Sequence, residues 1–290
     1  MLLIHKIEKT HFSYSESLIV KCILDLKQDI KDLSSYKIAK LTHTSPTLVI
    51  RVAKKLGLSG WNELKEIYLK ELEYLYDTYD IDASIPFTID EDYIEISHHI
   101  ASLLKDTITE TQKMLDHDTL YKVMKYLKDA KEIDIFTRDC YKGYAKSFQE
   151  NMFYIGKKVN VYSYYDEIYA RCITQGHVVI GISYSGENSY LLNIQDIVKS
   201  CHVPFVAITN IGNNSLSKKS DVVLKMSSRE MLTTKIGDFA SSQSVKYILD
   251  TLYSCIFSLD YKESLDNRIS LLRQHDEKIS GYMYIDEDDA

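Results

Sequence analysis

The sequence predicts an all-helical head joined to an α/β domain with a five-stranded parallel sheet flanked by helices. Apolar residues recur at helical spacing from the start of the chain to about Asp77. From Lys131 onward, short apolar runs alternate with amphipathic helical segments, a pattern typical of a parallel sheet covered on both faces. A length of 290 residues is enough for about two domains, each with its own core.

The head is predicted to open with two helices. The first covers about residues 1–12. The second follows Ser13, which stands three residues before Glu16, the spacing of a capping box. An apolar stripe along the second helix is expected to pack under the helices that follow.

The segment 35–57 has the pattern of a helix-turn-helix. Small Ala39 lies on the apolar inner face of the first short helix, where two helices cross closely. Ser45 and Pro46 predict the start of the second helix, because a hydroxyl N-cap and a proline at the first position are both favoured there. Apolar residues then recur at helical spacing up to Gly57. The alternative is an ordinary helical hairpin with a solvated basic face.

The local charge favours DNA binding over that alternative. Residues 34–65 hold six basic side chains and one acidic side chain, although the whole chain has a net charge of −7. Such a concentration suits a polyanion, and the second helix is expected to enter the major groove. The candidates for contacts with base edges are Ser45, Thr47 and Arg51. The candidates for contacts with the DNA backbone are Lys37, Lys40, Lys54, Lys55 and Lys65.

The remaining helical segments define the predicted domain boundaries. A helix capped by Asn62 is expected to end the head, and the acidic segment 77–92, which contains Pro86, is the best linker candidate. Further helices are expected at 93–115 and 118–129. The predicted divisions are a DNA-binding head at 1–77, a linker and connecting helix at 78–107, the α/β domain at 108–260, and an acidic C-terminal tail with a short helix at 261–290.

The α/β domain has a candidate anion site after its third strand. The predicted strands lie in EIDIFT, VNVYSY, HVVIGIS, PFVAITN and DVVLKM, and a long helix at about 238–259 closes the domain. Ligands of open α/β sheets bind at the carboxyl ends of the strands, and helix N-termini favour phosphate. The candidate ligand residues are Ser183, Ser185, Gly186, Glu187 and Asn188, with Ser215 after the fourth strand as a further hydroxyl. The same residues also fit a capped turn that holds no ligand.

Composition argues against several other classes of protein. The five cysteines are widely spaced without a CxxC pair, which indicates reduced thiols and neither a disulfide framework nor a zinc site. The adjacent His98 and His99 point to different faces of a helix, and there is no P-loop, so no metal and no cofactor are expected. The lack of a signal peptide and of a membrane-spanning run predicts a cytoplasmic protein.

Two motifs carry a resemblance to a known family. The sequence around the second motif helix resembles the helix-turn-helix of RpiR/MurR-type transcriptional regulators, and the segment Ile182–Glu187 matches the I-S-x-S-G-E hallmark of their SIS (sugar isomerase) domain. The resemblance covers about residues 1–260. It implies a SIS-like three-layer sandwich, a phosphosugar effector and a homodimer or homotetramer. The matching residues of the head are Arg51, Lys54, Lys55, Leu56, Gly57, Gly60, Trp61, Glu63, Leu64 and Lys65.

Two alternative functions remain open from the sequence. The loop after the first strand departs from the family pattern at Thr137, Asp139 and Tyr141, which favours a SIS domain that serves only as a dimerisation scaffold. A sugar-phosphate isomerase would need a base beside the reacting carbons. Glu187 and Glu230 are the carboxylates available, and both fit helix starts better, so no catalytic residue is predicted. The operator, the regulated genes, the sign of regulation and the sugar are not predicted.

Overall fold

The computed structural model describes residues 2–76 and 81–280. The chain divides into two compact units. The first comprises Met1–Thr107 together with Ile211–Asn213 and Ser227–Ser241, and the second comprises the rest. The predicted end of the head at 77 and the last part of the predicted tail, 281–290, lie outside the described residues.

The helices of the first unit follow the predicted order. The helix-turn-helix consists of α3 and α4, and buried Ile38, Ala39, Val49 and Val52 pack in one core with α2 and α5. The capping box of Ser13 and Glu16 is present at the start of α2. The helices are α1 (Leu3–Lys9), α2 (Tyr14–Leu26), a 3₁₀ segment (Lys27–Asp32), α3 (Ser35–Leu41), α4 (Pro46–Lys55), α5 (Trp61–Tyr76) and α6 (Tyr93–Met114), the last of which continues into the second unit.

One predicted cap is wrong. Asn62 does not cap α5, because the helix already begins at Trp61. The start of α5 is instead stabilised by the Glu63 carboxylate, which accepts hydrogen bonds from the backbone N–H and the hydroxyl of Ser59, both at 2.6 Å. A carboxylate in the first turn also interacts favourably with the helix dipole.

Helix α1 is held by residues far away in the sequence. The Glu71 carboxylate accepts the backbone N–H groups of Leu3 and Ile4 at 2.6 and 3.1 Å. The Glu8 carboxylate accepts the backbone N–H groups of 232–234 at 2.7 to 3.3 Å. Buried His5 donates from Nε2 to the carbonyl oxygen of Glu230 at 2.9 Å. The segment after the last strand is therefore part of the same folded unit as the head.

The second unit confirms the predicted parallel sheet. Its strand order is β2-β1-β3-β4-β5, and every neighbouring pair is parallel. The order reverses between β1 and β3, and the carboxyl ends of these two strands therefore flank the crevice where open α/β sheets bind ligands. The strands are β1 (Glu132–Thr137), β2 (Lys158–Ser163), β3 (His177–Ser183), β4 (Phe205–Asn210) and β5 (Val222–Met226).

Helices connect the strands and extend beyond the sheet. The C-terminal segment forms the 20-residue helix α13, longer than the short helix expected there. No helix of the described residues is long and apolar enough to cross a membrane. The helices are α7 (His117–Asp129), α8 (Asp139–Phe153), α9 (Glu167–Ala170), α10 (Ser189–Ser200), α11 (Ser215–Lys219), α12 (Phe239–Leu259) and α13 (Tyr261–Ser280).

Candidate DNA interface and candidate ligand site

Helix α4 has one face in the head core and one face in solvent. Val49, Val52 and Ala53 are fully buried. The helix starts as predicted, with the hydroxyl of Ser45 accepting the backbone N–H of Leu48 at 3.3 Å. Because a side chain three or four residues along lies on the same face, exposed Thr47, Arg51 and Lys54 form one outward row.

The predicted DNA-contact residues lie mainly at the surface. Lys65 is half-buried, and its ammonium group donates to the backbone carbonyl of Lys31 at 2.8 Å. To contact DNA, the ammonium group of Lys65 would have to break that hydrogen bond. The exposed members of the predicted set are Lys37, Lys40, Ser45, Thr47, Arg51, Lys54 and Lys55.

An acidic residue contacts two cations of α4. Glu16, only 5% exposed, lies with Oε2 2.8 Å from Nζ of Lys55 and with Oε1 3.6 Å from Nε of Arg51. The hydrogen bond from Lys55 and that from the backbone of Ser13 lower the pKa of Glu16 to about 2. Sequence reasoning identified Glu16 only as a capping residue, because nothing local signals a contact with a residue 39 positions away.

The candidate ligand residues converge at the carboxyl edge of the sheet. Ser183 is the last residue of β3 and is 2% exposed, while Ser185 is half-buried in the loop that follows. Helix α10 begins at Ser189, and the side chain of Asn188 caps it by accepting the N–H of Leu191 at 3.0 Å. Ser215 is the first residue of α11, on the next strand connection.

Hydrogen bonds within the loop join these residues to one another. The backbone N–H of Gly186 donates to the hydroxyl of Ser183 at 3.2 Å, and that of Glu187 donates to the hydroxyl of Ser185 at 3.3 Å. The Glu187 carboxylate accepts the N–H of Ser215 at 3.0 Å. These two backbone amides therefore donate inside the loop, and an anion that bound to them would have to replace these bonds. We call residues 183–188 with Asn214 and Ser215 the strand-edge loop.

Close packing fixes the shape of the strand-edge loop. Gly186 has a φ of +64°, and a Cβ atom there would lie 2.2 Å from the side chain of Asn214. Asn214 is itself buried, and its Nδ2 donates to Thr209 at 3.0 Å and to Asn210 at 3.2 Å. The loop therefore has a glycine for a geometric reason, apart from any ligand.

The three departures from the family pattern lie in different surroundings. Thr137, at the end of β1, and Tyr141, in the first turn of α8, are fully buried. Asp139 is exposed as the first residue of α8, next to exposed Arg138. The N-terminus of α8 thus already carries a carboxylate in its first turn, which reduces its attraction for a second anion.

The two carboxylates considered as catalytic bases serve helix starts. Glu187 accepts the N–H of Ser215, the first residue of α11. Glu230 is 1% exposed, and it accepts the backbone N–H of Ser241 at 3.0 Å in the first turn of α12. Lys235 also donates to Glu230, at 2.9 Å.

A polar group at the opposite, amino ends of the strands brings together Glu132, Asp134 and His177. Among the described residues, these are the side chains of metal-binding types whose ligand atoms approach within 4.8 Å of one another. Nδ1 of His177 lies 2.7 Å from Asp134, and Asn160 donates to both carboxylates at 2.9 Å. Lys158 donates to Glu132 at 2.8 Å, so each carboxylate oxygen has a hydrogen-bond donor, and the group is satisfied as a structural network.

Both halves of the chain match known family models. Residues 1–73 match the model described as the helix-turn-helix domain of the rpiR family, and residues 126–242 match the SIS domain. The chain belongs to the RpiR family of transcriptional regulators. The two matches agree with the observed head and with the parallel sheet.

Curated relatives named as HTH-type transcriptional regulators align with most of the chain. An uncharacterized HTH-type transcriptional regulator of Caldanaerobacter subterraneus subsp. tengcongensis is 26% identical over 266 residues, which are 87% of this chain and 88% of that protein. The HTH-type transcriptional regulator RpiR of Escherichia coli K12 is 20% identical over 233 residues, 78% of this chain and 76% of that protein.

Solved structures share the fold. The Vibrio vulnificus NanR protein complexed with ManNAc-6P has a TM-score of 0.59 at 20% identity and covers 98% of this chain and 100% of its own. The sugar isomerase domain of an RpiR transcription factor from Sphaerobacter thermophilus has a TM-score of 0.53 at 12% identity, with 61% of this chain and 98% of its own covered. At these identities, the likeness shows a shared fold and nothing finer.

Proposed function

We propose that this RpiR-family regulator controls genes of sugar or amino-sugar metabolism, and that a phosphosugar bound at the strand-edge loop changes its affinity for DNA. The observation that carries this proposal is the presence, in one chain, of the exposed basic face of α4 and of a hydroxyl-rich loop at the carboxyl edge of a parallel sheet. We call α4 the recognition helix. Thr47 and Arg51 are the proposed readers of base edges, and Lys37, Lys40 and Lys54 neutralise phosphates. The protein acts in the cytoplasm, on double-stranded DNA, as a homodimer or homotetramer.

The chain connectivity supports a link between ligand and DNA binding. Residues 211–213 precede Asn214 of the strand-edge loop, yet they belong to the same folded unit as the helix-turn-helix. Ile211 packs with Leu2 and Ile4 next to α1, and its N–H donates to Ser228 at 2.9 Å. A ligand that pulls on Asn214 or Ser215 therefore acts on a segment continuous with the head. The bound sugar phosphate in the NanR structure supports the proposed class of ligand.

Specific observations bear on two other functions, a SIS domain that serves only as a dimerisation scaffold and a sugar-phosphate isomerase. An empty SIS scaffold that only dimerises is favoured by the Asp139 carboxylate and by the internal hydrogen bonds of the strand-edge loop. An isomerase is disfavoured, because Glu187 and Glu230 are engaged at helix starts. We therefore expect no turnover in a coupled isomerase assay.

A thermal-shift screen tests the ligand. Full-length protein is mixed with hexose, amino-sugar, N-acetylmuramate and pentose phosphates, and any hit is added to a DNA-binding titration followed by fluorescence anisotropy. A ligand at a hundred times its Kd stabilises the folded state by about 2.7 kcal/mol, which raises the Tm visibly. We expect one class to raise the Tm and to change DNA affinity.

Matched variants locate the site. Ser185→Ala removes a hydroxyl of the strand-edge loop, whereas Ser200→Ala removes one at the far end of α10, the helix that follows this loop. The ligand shift should be lost in the first variant and kept in the second. No shift with any sugar phosphate, together with intact DNA binding, would leave the regulator with a SIS domain that only assembles the protein.

A further inference from the structure

Glu16 connects the start of α2 with the recognition helix. Its carboxylate is almost completely buried and contacts two cations that lie one helical turn apart on α4, Lys55 at 2.8 Å and Arg51 at 3.6 Å. The contacts of this group that are seen among residues 2–76 and 81–280 all lie within the head. A buried carboxylate that contacts two cations of the proposed recognition helix affects how readily each of these cations can contact DNA.

The carboxylate is charged and fixed in place. Its Oε2 accepts the backbone N–H of Ser13 at 2.8 Å, which ties the side chain to the first turn of α2. Helix α2 is itself anchored in the head core by Ile19 and Ile23. The pKa of Glu16 is about 2, lowered by the hydrogen bonds from Lys55 and Ser13, so the group remains ionised wherever DNA binding is measured.

Lys55 is held against the protein. Its ammonium group lies 2.8 Å from Glu16 and 5.4 Å from the centre of the Phe12 ring, so it has both an ionic and a cation–π partner. A phosphate contact by Lys55 would require it to leave both. Among the described residues no such partner is seen for its neighbour Lys54, which is exposed in the outward row.

Arg51 is held in a different way. Glu16 lies on the Nε side of the guanidinium group, and no hydrogen-bond partner of its terminal nitrogens is seen in the described part of the chain. The side chain is 66% exposed. Because the terminal nitrogens of arginine form a planar fork that fits O6 and N7 of guanine, a contact at Nε leaves that fork available for a base edge.

We propose that Glu16 is a positioning residue for DNA recognition, which orients the fork of Arg51 towards base edges and withdraws Lys55 from the DNA backbone. The inference rests on the proposed DNA-binding function and specifies how it is achieved. Glu16 lowers non-specific affinity, because it neutralises one lysine and places a negative charge near the DNA backbone. It raises specificity, because an oriented arginine loses less conformational freedom on binding.

The test begins with a selection of duplexes from a random pool by the wild-type protein. Affinities for the selected duplex and a scrambled duplex are then measured at several salt concentrations for wild type and Glu16→Gln. Glutamine is the other residue of capping boxes, so the bond from Ser13 is retained while the charge is removed. For Glu16→Gln we expect tighter binding to the scrambled duplex and a salt slope steeper by about 0.9, the value for one further phosphate contact. We also expect the ratio of specific to non-specific affinity to fall at least about fivefold, within the range of one arginine–guanine contact.

The controls separate position from charge alone. Glu66→Gln removes the same charge from an exposed pair with Lys70 on α5 and should leave the ratio unchanged. Glu16→Gln combined with Lys55→Met should return the salt slope to the wild-type value but not restore the ratio. If Glu16→Gln is too unstable to study, single lysine variants still test whether Lys55 is withdrawn from the DNA backbone. Lys54→Met should reduce the salt slope by about 0.9, and Lys55→Met should leave it unchanged.

The outcomes distinguish a failure of the proposed DNA-binding function from a failure of the positioning role of Glu16. If the wild type enriches no sequence, the proposed function fails, and the positioning role fails with it. If Arg51→Ala loses sequence preference while Glu16→Gln keeps both the wild-type slope and the wild-type ratio, DNA recognition stands and the positioning role of Glu16 is overturned. Equal reductions of the slope by Lys54→Met and Lys55→Met would also overturn it.

Discussion

The recognition helix and the strand-edge loop use polar side chains in opposite ways. On α4, Thr47, Arg51 and Lys54 are exposed in a row and project from a helix whose other face is fully buried. In the strand-edge loop, the amides of Gly186 and Glu187 already donate to Ser183 and Ser185 within the loop. The proposed DNA-contact surface presents its polar groups to solvent, whereas the proposed ligand site has its polar groups hydrogen-bonded to one another.

The two proposed sites therefore differ in how many existing hydrogen bonds binding would have to break. In the described part of the chain, no hydrogen bond from the side chain of Thr47 or Lys54 is seen, so DNA bound at the proposed α4 surface would break none of theirs. A ligand at the strand-edge loop must replace existing bonds, so its binding is coupled to a change of loop geometry. Such a coupling is what an effector site needs, because a ligand shifts an equilibrium only through a difference in its affinity for two states.

The largest expected effect tests whether the strand-edge loop is as tightly built as its contacts indicate. Gly186→Ala forces a Cβ atom into Asn214 and places alanine at a φ of +64°. We expect a loss of about 2–4 kcal/mol in the free energy of unfolding. Gly57→Ala is the matched control, since φ is +80° there but nothing lies within 4 Å of the added Cβ. It should cost about 1 kcal/mol, the backbone strain alone. Chemical denaturation measures both variants. If Gly186→Ala and Gly57→Ala lowered the free energy of unfolding equally, the strand-edge loop would be able to relax around the added Cβ atom.

Acidification should act on α1 before it acts on the recognition helix. Burial lowers the pKa of His5 from 6.5 to about 4, so the unfolded chain binds the proton more readily between these values. Stability contributed by neutral His5 is complete above pH 6.5 and is lost as the pH falls towards 4, by about 3 kcal/mol in total. The charge of Glu16, with a pKa of about 2, persists over this range.

Unfolding curves recorded between pH 7.5 and 4 measure this effect. His5→Gln should flatten the dependence of stability on pH, whereas His11→Gln, at an exposed position six residues along, should retain the wild-type dependence. If the stability of His5→Gln depended on pH as strongly as that of the wild type, the effect would arise from other groups.

The smallest expected effect compares the N-caps of α4 and α10. Ser45→Ala and Asn188→Ala each remove a side-chain oxygen that accepts a backbone N–H, and each should cost about 1 kcal/mol. Their functional effects should differ. Ser45→Ala should weaken DNA binding without a change in the thermal shift caused by a sugar phosphate, and Asn188→Ala should reduce that shift. If Ser45→Ala reduced the thermal shift and Asn188→Ala weakened DNA binding, the assignment of the two sites would be wrong.

The sequence predicted the features that depend on local patterns. The capping box at Ser13, the N-cap at Ser45 and the five strands follow from spacing and composition, and the structure confirms them. The family motifs identified the two domain types, a helix-turn-helix and a SIS domain, and the family models match both. The predicted cap at Asn62 was wrong because Glu63, in the next position, competes for the same helix start through Ser59.

Contacts between distant residues could not be predicted in this way. The pairing of Glu16 with Lys55 spans 39 residues, and the bonds of Glu8 to the segment after β5 span more than 220. Charge counting therefore treated Lys55 as equivalent to Lys54, and a strand-to-helix motif could not show that the amides of the strand-edge loop are already bonded. Such features arise from packing, which has no local signature in the chain.

The position of α1 also limits how this regulator can be divided and recombined. A transplanted head that ends near residue 77 would leave behind 227–241, which binds Glu8 and His5 in the native fold. Leu2 and Ile4 would lose their packing against Ile211 and Met231. A functional chimera of this protein therefore has to exchange α1 and the segment 227–241 as a pair, although the two are far apart in the sequence.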